Sequence, residues 1–223
     1  MSDDAKRAAG RAAADQVEDG MRLGLGTGST VAHFLDRLAE RGLDVAGVPT
    51  SRATEQRCRA LGITLLTPAD VQHLDLCVDG ADELTRDLVL TKGGGGALLR
   101  EKVVATMSER MLVIATPDKV VERLADTFAL PVEVVPFAVG PVTHWIEELG
   151  FHVARRDGGG TDNGNLVLDC HMPGGLDDPE AMDAALSLVP GIAEHGLFVE
   201  LASGAILGRE DGTVETLARP DAP

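Results

Sequence analysis

The hydrophobic positions of this chain follow two rhythms. Residues 3–19 carry Ala and Val at helical spacing and stop at Gly20. MRLGLG (21–26) then reads as a buried strand entering a glycine turn, with a helix after it over 29–41. A strand at 45–49, a helix over 52–61, a short strand at 63–66 and the strand LDLCVD (74–79) follow. Beyond a glycine tetrad come a helix over 97–107 and the apolar strand MLVIA (111–115). Continuously apolar strands alternating with helices predict an α/β fold, its parallel sheet covered by helices on both faces.

The rhythm changes near residue 129. VEVV is a strand, PVTHWIEEL a helix, FHVAR and NLVLDC strands, PEAMDAALSLV a helix and IAEHGLF a strand. The order β-α-β-β-α-β is the split ferredoxin-like arrangement. Asn163-Gly164 fits the tight turn of its central hairpin, although TDNGN could also be a ligand loop. AILG and TVETL predict a terminal hairpin that returns to the first sheet.

Charge narrows the function. The formal net charge is −16, which argues against nucleic acid and acidic membranes as partners, since both reward a basic surface. No apolar run approaches the ~20 residues of a membrane span, and MSDDAKRAAG lacks the pattern of a secretory signal. Cys58, Cys77 and Cys170 form neither a metal-ligand spacing nor a disulfide framework, so a reducing cytoplasm is expected. Of twenty basic residues only Lys6, Lys92, Lys102 and Lys119 are lysine. Excess acid with arginine in place of lysine fits adaptation to concentrated salt, where screening relieves self-repulsion; a GC-rich genome would also favour Arg, Ala and Gly.

Three segments carry candidate chemistry. GLGTGST (Gly24–Thr30) joins a strand to a helix, where glycines allow close backbone approach and the helix offers N–H groups to an anion. Thr27, Ser29 and Thr30 add hydroxyls. A phosphate fits, whereas a dinucleotide fingerprint would need glycine at Ser29 and a P-loop would need a lysine before the Ser or Thr. A plain glycine turn explains the segment equally well. DGADE (Asp79–Glu83) lies at the carboxyl end of a parallel strand, the usual ligand position of such sheets; a capped turn is the alternative. In TKGGGGALLREK (Thr91–Lys102) four glycines carry a large entropy cost that stability does not explain. Lys92 stands at the mouth of this loop. Glu101 has Ala97, Leu98, Val104 and Ala105 at helical spacing, neighbours that would make it a base if they bury it. Equally, Arg100-Glu101-Lys102 could be a solvated face packed through Leu99 and Val103.

In this order and spacing, GLGTGST, DGADE and KGGGGALLREK resemble the type A ribose-5-phosphate isomerase family. The likeness continues through PTSRATE (49–55), LPVEVVP (130–136), TDNGNLVLD (161–169) and PGIAEHGLF (190–198). The resemblance implies a Rossmann-like domain over 1–128, rejoined by 204–223, with an inserted ferredoxin-like α+β domain over 129–203. It implies interconversion of ribose 5-phosphate and ribulose 5-phosphate in the pentose phosphate pathway, with no metal or cofactor, in a homodimer or homotetramer. By matching positions, Glu101 is the base that moves a proton between C1 and C2, and Asp79, Asp82 and Lys92 surround the reacting end of the sugar. Thr27, Gly28, Ser29 and Thr30 correspond to the substrate loop, with Gly80 and Ala81 beside the carboxylates. Gly93, Gly94 and Gly95 supply backbone contacts, Lys119 binds substrate and Lys6 lies near the phosphate. Hexosamine-phosphate deaminases, CoA transferases and a non-catalytic sugar-phosphate sensor are rivals. The Lys92–Glu101 spacing argues against the first two, and the complete acid-base set against the third.

The composition yields its own test. Salt adaptation predicts that the melting temperature rises as KCl goes from low to molar concentration. A flat or falling curve beside a neutral homologue would leave genome bias as the explanation.

Overall fold

The computed structural model describes residues 2–219. In chain order the elements are α1 (Asp3–Ala14), β1 (Arg22–Leu25), α2 (Ser29–Arg41), β2 (Ala46–Pro49), α3 (Arg52–Leu61), β3 (Thr64–Leu65), β4 (Leu74–Asp79), β5 (Glu83–Leu84) and β6 (Leu90–Thr91). Then come α4 (Leu98–Thr106), β7 (Ser108–Ala115), β8 (Leu130–Val134), α5 (Val139–Glu148), β9 (His152–Arg155) and β10 (Leu166–His171). The chain ends with α6 (Pro179–Ser187), β11 (Ile192–His195), β12 (Leu197–Phe198), β13 (Ala202–Gly208) and β14 (Val214–Ala218). They form two compact units. One comprises the chain up to Ala81, Arg100–Val120 and the chain from Glu200; the other comprises Asp82–Leu99 and Val121–Val199. The segments 82–99 and 121–128, expected with the parallel sheet, thus cluster with the second unit, and 200–203 with the first.

The first unit is built on a seven-stranded sheet of order β14-β13-β7-β4-β1-β2-β3. Every neighbouring pair is parallel except the β13–β14 hairpin. Leu23, Leu25, Leu76, Val78 and Ile114 from the strands pack with Val31, Phe34, Leu35 and Leu38 of α2, all buried. The first helix stops at Ala14, short of the expected residue 19. α1 and α2 lie side by side: residue 10 has no room for a Cβ, which would stand 2.7 Å from the Phe34 nitrogen, and Arg41 donates to the carbonyls of Ala14 and Val17. α1 also sits on β13, where a Cβ on Gly208 would lie 2.0 Å from the Ala5 carbonyl oxygen and 2.6 Å from the Ala9 nitrogen.

The second unit holds a four-stranded antiparallel sheet of order β11-β8-β10-β9. With α5 and α6 in the crossovers this is the split ferredoxin-like topology. Leu130, Val132, Val134, Val142, Ile146, Leu168 and Leu186 form its core. A smaller sheet, β12-β6-β5, was not legible because each of its three strands is only two residues long. IAEHGLF, expected as one strand, serves both sheets. Gly196 donates its N–H to Pro131 at 2.7 Å and accepts from the Lys92 N–H at 2.8 Å, so the chain changes sheets there. TDNGN is a turn: Thr161 N–H donates to the Asn165 carbonyl, Gly164 N–H to that of Thr161, and Gly164 has φ +84°. Three of its polar side chains converge on one carboxylate. Thr161 Oγ1, Asn163 Nδ2 and Asn165 Nδ2 donate to Oε1 of the buried Glu133 at 2.8, 3.0 and 2.9 Å.

Gly208→Ala tests the seat of α1. The methyl would meet backbone atoms, which cannot swing away, so overpacking should cost about 1–3 kcal/mol. For a chain of this size that is a fall in melting temperature of very roughly 2–12 °C. An unchanged melting temperature would contradict this packing.

Candidate functional site

β1 connects outward to β2 and β3, and the chain then returns to β4 on the other side of β1. The connections therefore diverge between β1 and β4, and the crevice beyond their carboxyl ends is where such sheets bind ligands. Leu25 of β1 stands beside Val78 of β4. One residue further, Gly26 meets Asp79. A Cβ at position 26 would lie 2.3 Å from the Asp79 carboxyl carbon and Oδ1, so only glycine admits that side chain. Asp79 is fully buried. Its Oδ1 accepts from the N–H groups of Thr27 at 3.0 Å and Gly80 at 2.7 Å, charge-assisted bonds that offset the cost of burying a carboxylate.

The glycine turn continues into α2. Gly28 is its N-cap, with φ +117°, no side-chain cap bond, and open space around a notional Cβ. The helix N-terminus at Ser29 and Thr30 is therefore left to whatever approaches from outside. Thr27 turns the other way. Its hydroxyl lies 2.7 Å from Thr50 Oγ1, 2.9 Å from Ser51 Oγ and 3.2 Å from Thr54 Oγ1, while Thr54 Oγ1 donates to the Gly26 carbonyl at 2.7 Å. Thr50, Ser51 and Thr54 are buried and brace the turn from the end of β2 and the start of α3. They were not singled out from the sequence, although polar residues directly after a buried strand are the signal that could have found them.

Glu101 is settled by burial. It is 5% exposed, while Val103 is 43% exposed, so the solvated-face alternative is wrong: the carboxylate faces inward and the valine outward. The cause lies one turn on. A Cβ on Gly24 would stand 2.6 Å from Val104 Cγ1, so the bare backbone of β1 admits Val104 and thereby selects the face of α4 that turns to the sheet. Glu101 shares that face, three residues nearer the helix N-terminus. The carboxyl end of α4 leads directly into Ser108, which pairs with Leu74 at the amino edge of the sheet. Its amino end, with Glu101, therefore points to the same edge as Asp79.

Lys6 and Lys119 belong to this edge as well. α1 and α2 run in the same direction, tied by His33–Asp3 at 3.0 Å and Arg11–Glu40 at 3.0 Å. Lys6, half-buried in α1, thus lies at the end where α2 begins. Lys119 ends a short 3-10 turn, Pro117–Lys119, just past β7, and is half-buried.

Of the remaining residues, Ala81 follows Gly80 in the first unit, whereas Asp82, Lys92, Gly93, Gly94 and Gly95 stand in the second. Asp82 N–H donates to the Thr91 carbonyl at 2.9 Å, and Asp82 Oδ2 accepts from the Gly94 N–H at 2.7 Å. Gly93 has φ +104°, and Gly96 N–H closes a turn onto its carbonyl at 2.9 Å. Lys92 is 3% exposed, with Nζ 5.5 Å from the centre of the buried Phe198 ring. That contact gives the buried ammonium the negative face of the ring. Gly95 is exposed at the tip of the loop. Glu83, within DGADE, is structural. It is buried and accepts from the N–H groups of Ala125, Thr127 and Phe128, fixing the 125–128 segment.

Among the described residues no group of three or more His, Cys, Asp or Glu is placed to hold a metal ion. Cys58, Cys77 and Cys170 are all buried. Burial pushes the Cys58 thiol up to about 11 and that of Cys170 to about 12, so neither is a nucleophile at neutral pH. No helix among the described residues is long and apolar enough to cross a membrane.

Residues 46–212 match the family model of ribose 5-phosphate isomerase A (phosphoriboisomerase A). The ribose-5-phosphate isomerase A of Parvibaculum lavamentivorans is 46% identical over 226 residues, covering 95% of this chain and 97% of that protein. The crystal structure of ribose 5-phosphate isomerase A from Neisseria gonorrhoeae superposes with a TM-score of 0.93 at 34% identity, over 98% of both chains. A D-ribose-5-phosphate isomerase solved in complex with phospho-erythronic acid gives 0.93 at 35% identity, over 98% of this chain and 100% of the other. The chain belongs to the ribose 5-phosphate isomerase A family.

Proposed function

We propose that the protein interconverts D-ribose 5-phosphate and D-ribulose 5-phosphate through an enediolate, with Glu101 as the base. The inward-facing Glu101, at the edge of the sheet that carries Asp79, is the observation that supports this reading most directly. Glu101 takes the C2 proton of the open-chain aldose and returns it to C1. The negative charge that develops on the sugar oxygens is stabilised by Lys92 and by N–H groups of the 93–95 loop. Asp79, held by Thr27 and Gly80, carries a proton from the C2 hydroxyl oxygen to the C1 oxygen and assists ring opening, and Asp82 orients these groups. The phosphate sits on the uncapped start of α2 at Gly28–Thr30, with Lys6 beside it. Remote anchoring of this kind converts binding energy into position at the reacting carbons. Lys119 binds the sugar. The same proposal places the enzyme in the cytoplasm as a homodimer or homotetramer acting in the non-oxidative pentose phosphate pathway.

Two substitutions test the assignments. Glu101→Gln preserves shape, so fold and most substrate affinity should persist, while turnover of ribose 5-phosphate falls by roughly 10²–10⁴-fold. In deuterated water the wild type should place label on the product carbon and the variant scarcely any. Near-normal turnover would sink Glu101 as the base and make Asp79 the next candidate. Gly28→Val introduces a branched side chain where the protein leaves space, at a backbone angle that costs about 1–3 kcal/mol in strain. KM should rise at least tenfold, to a degree that the modest stability loss does not explain. A variant with normal KM would move the phosphate elsewhere.

A further inference from the structure

Four consecutive glycines hold a conformation poorly by themselves. Beyond the turn bond from the Gly96 N–H to the Gly93 carbonyl, the 93–96 loop is fixed by side chains from outside it. Asp82 supplies one tie. The other comes from Arg156, just past β9 and far along the chain. Its Nη1 donates to the carbonyl oxygens of both Gly93 and Gly94, each at 3.0 Å. The rest of the guanidinium is clamped by Asp169 of β10: Nε donates to Oδ2 at 2.9 Å, and Nη2 donates to Oδ1. Asp169 is placed by the sheet, where it pairs with Ala154 on one side and Pro131 on the other. The rigid four-stranded sheet thus reaches the glycine loop through one planar side chain.

The consequence follows from peptide geometry. In a trans peptide the C=O and N–H point to opposite sides of the chain, and the described residues contain no cis bond. The peptide joining Gly93 to Gly94 shows this directly, with its carbonyl on Arg156 and its N–H on Asp82 Oδ2 at 2.7 Å. The peptide joining Gly94 to Gly95 has its carbonyl on the same Nη1, so the Gly95 N–H is turned away from Arg156, to the side of Asp82. Gly95 is exposed, which leaves a ligand oxygen room to approach this peptide.

We propose that Arg156, clamped by Asp169, is a positioning residue that presents the Gly95 N–H to the anionic oxygen formed during the reaction. The inference rests on the isomerase reading above. Lysine cannot replace it, because one ammonium on a flexible stem cannot bridge two carbonyls while held flat by a carboxylate.

The test compares Arg156→Met, Arg156→Lys and Asp169→Asn with the wild type and with Glu101→Gln. It measures kcat and KM for ribose 5-phosphate, the melting temperature, and calorimetric affinity for phospho-erythronate, whose carboxylate stands in for the enediolate oxygens. Loss of one preorganised donor costs about 10²–10³-fold, and a misdirected one should cost about tenfold or more in kcat. KM should stay within about threefold, phospho-erythronate affinity should fall in step with kcat, and Arg156→Lys should not rescue. Unchanged kcat and analogue affinity, or losses matched by loss of folded protein in all three variants, would overturn the proposal. If Glu101→Gln is inactive while the Arg156 and Asp169 variants behave as wild type, this inference fails and the isomerase reading stands. If the wild type does not isomerise ribose 5-phosphate, that reading fails, and the effect of Arg156 on analogue affinity still decides whether it orients the loop.

Discussion

The close approach of Gly26 to the Asp79 carboxylate governs the first unit's half of the chemistry. A carboxylate removed from water is expensive unless donors replace its hydration. Here the donors are backbone N–H groups, of Thr27 after β1 and of Gly80 after β4. They can reach it only because residue 26 lacks the Cβ that would occupy the same space. The glycine turn therefore serves twice. Its first part makes room for an acid at the crevice between β1 and β4, and its next glycine leaves the start of α2 open. The hydroxyls of Thr50, Ser51 and Thr54 hold the intervening residue in place.

Gly24 acts by the same logic on the other carboxylate. Where β1 has no side chain, Val104 can seat against the strand, and the orientation of α4 then decides that Glu101 is buried and Val103 is not. Alternate glycines at the end of β1, Gly24 and Gly26, thus admit the helix carrying one acid and the side chain of another. Neither effect needs a special dihedral angle; both depend on absent volume. A motif usually read as a phosphate turn is in this chain also a packing device for acid-base groups.

This explains which parts were legible beforehand. The strand and helix alternation was visible because buried parallel strands are apolar throughout, and the ferredoxin-like order because each of its elements is long enough to show a period. The β5–β6–β12 sheet escaped because two-residue strands have no period, and IAEHGLF looked continuous because Gly196 can serve two sheets without interrupting the apolar pattern. Candidate site residues were found where chemistry is concentrated in motifs. The direction of Glu101 was not decidable, since α4 carries apolar residues around much of its circumference and only the partner surface breaks the tie. Arg156 left no trace either: RRD reads as an ordinary charged loop, and its role arises from a sheet register that puts Asp169 beside it.

The lysine distribution can now be weighed against the structure. Lys92 is buried, with its ammonium over the ring of a fully buried phenylalanine. Arginine there would have to place a planar fork of five donors where a compact ammonium now fits. Arg156 is the converse, a site where two carbonyls and a carboxylate lie in reach of one flat group and lysine would lose most of the bonds. A composition that favours arginine sixteen to four is thus sorted by geometry at these two positions. Surface pairs such as Arg57–Asp36 and Arg59–Glu55 are exposed and contribute little to stability whichever cation is used. Genome bias or salt can choose freely on the surface, whereas at Lys92 and Arg156 the shape of the partner chooses.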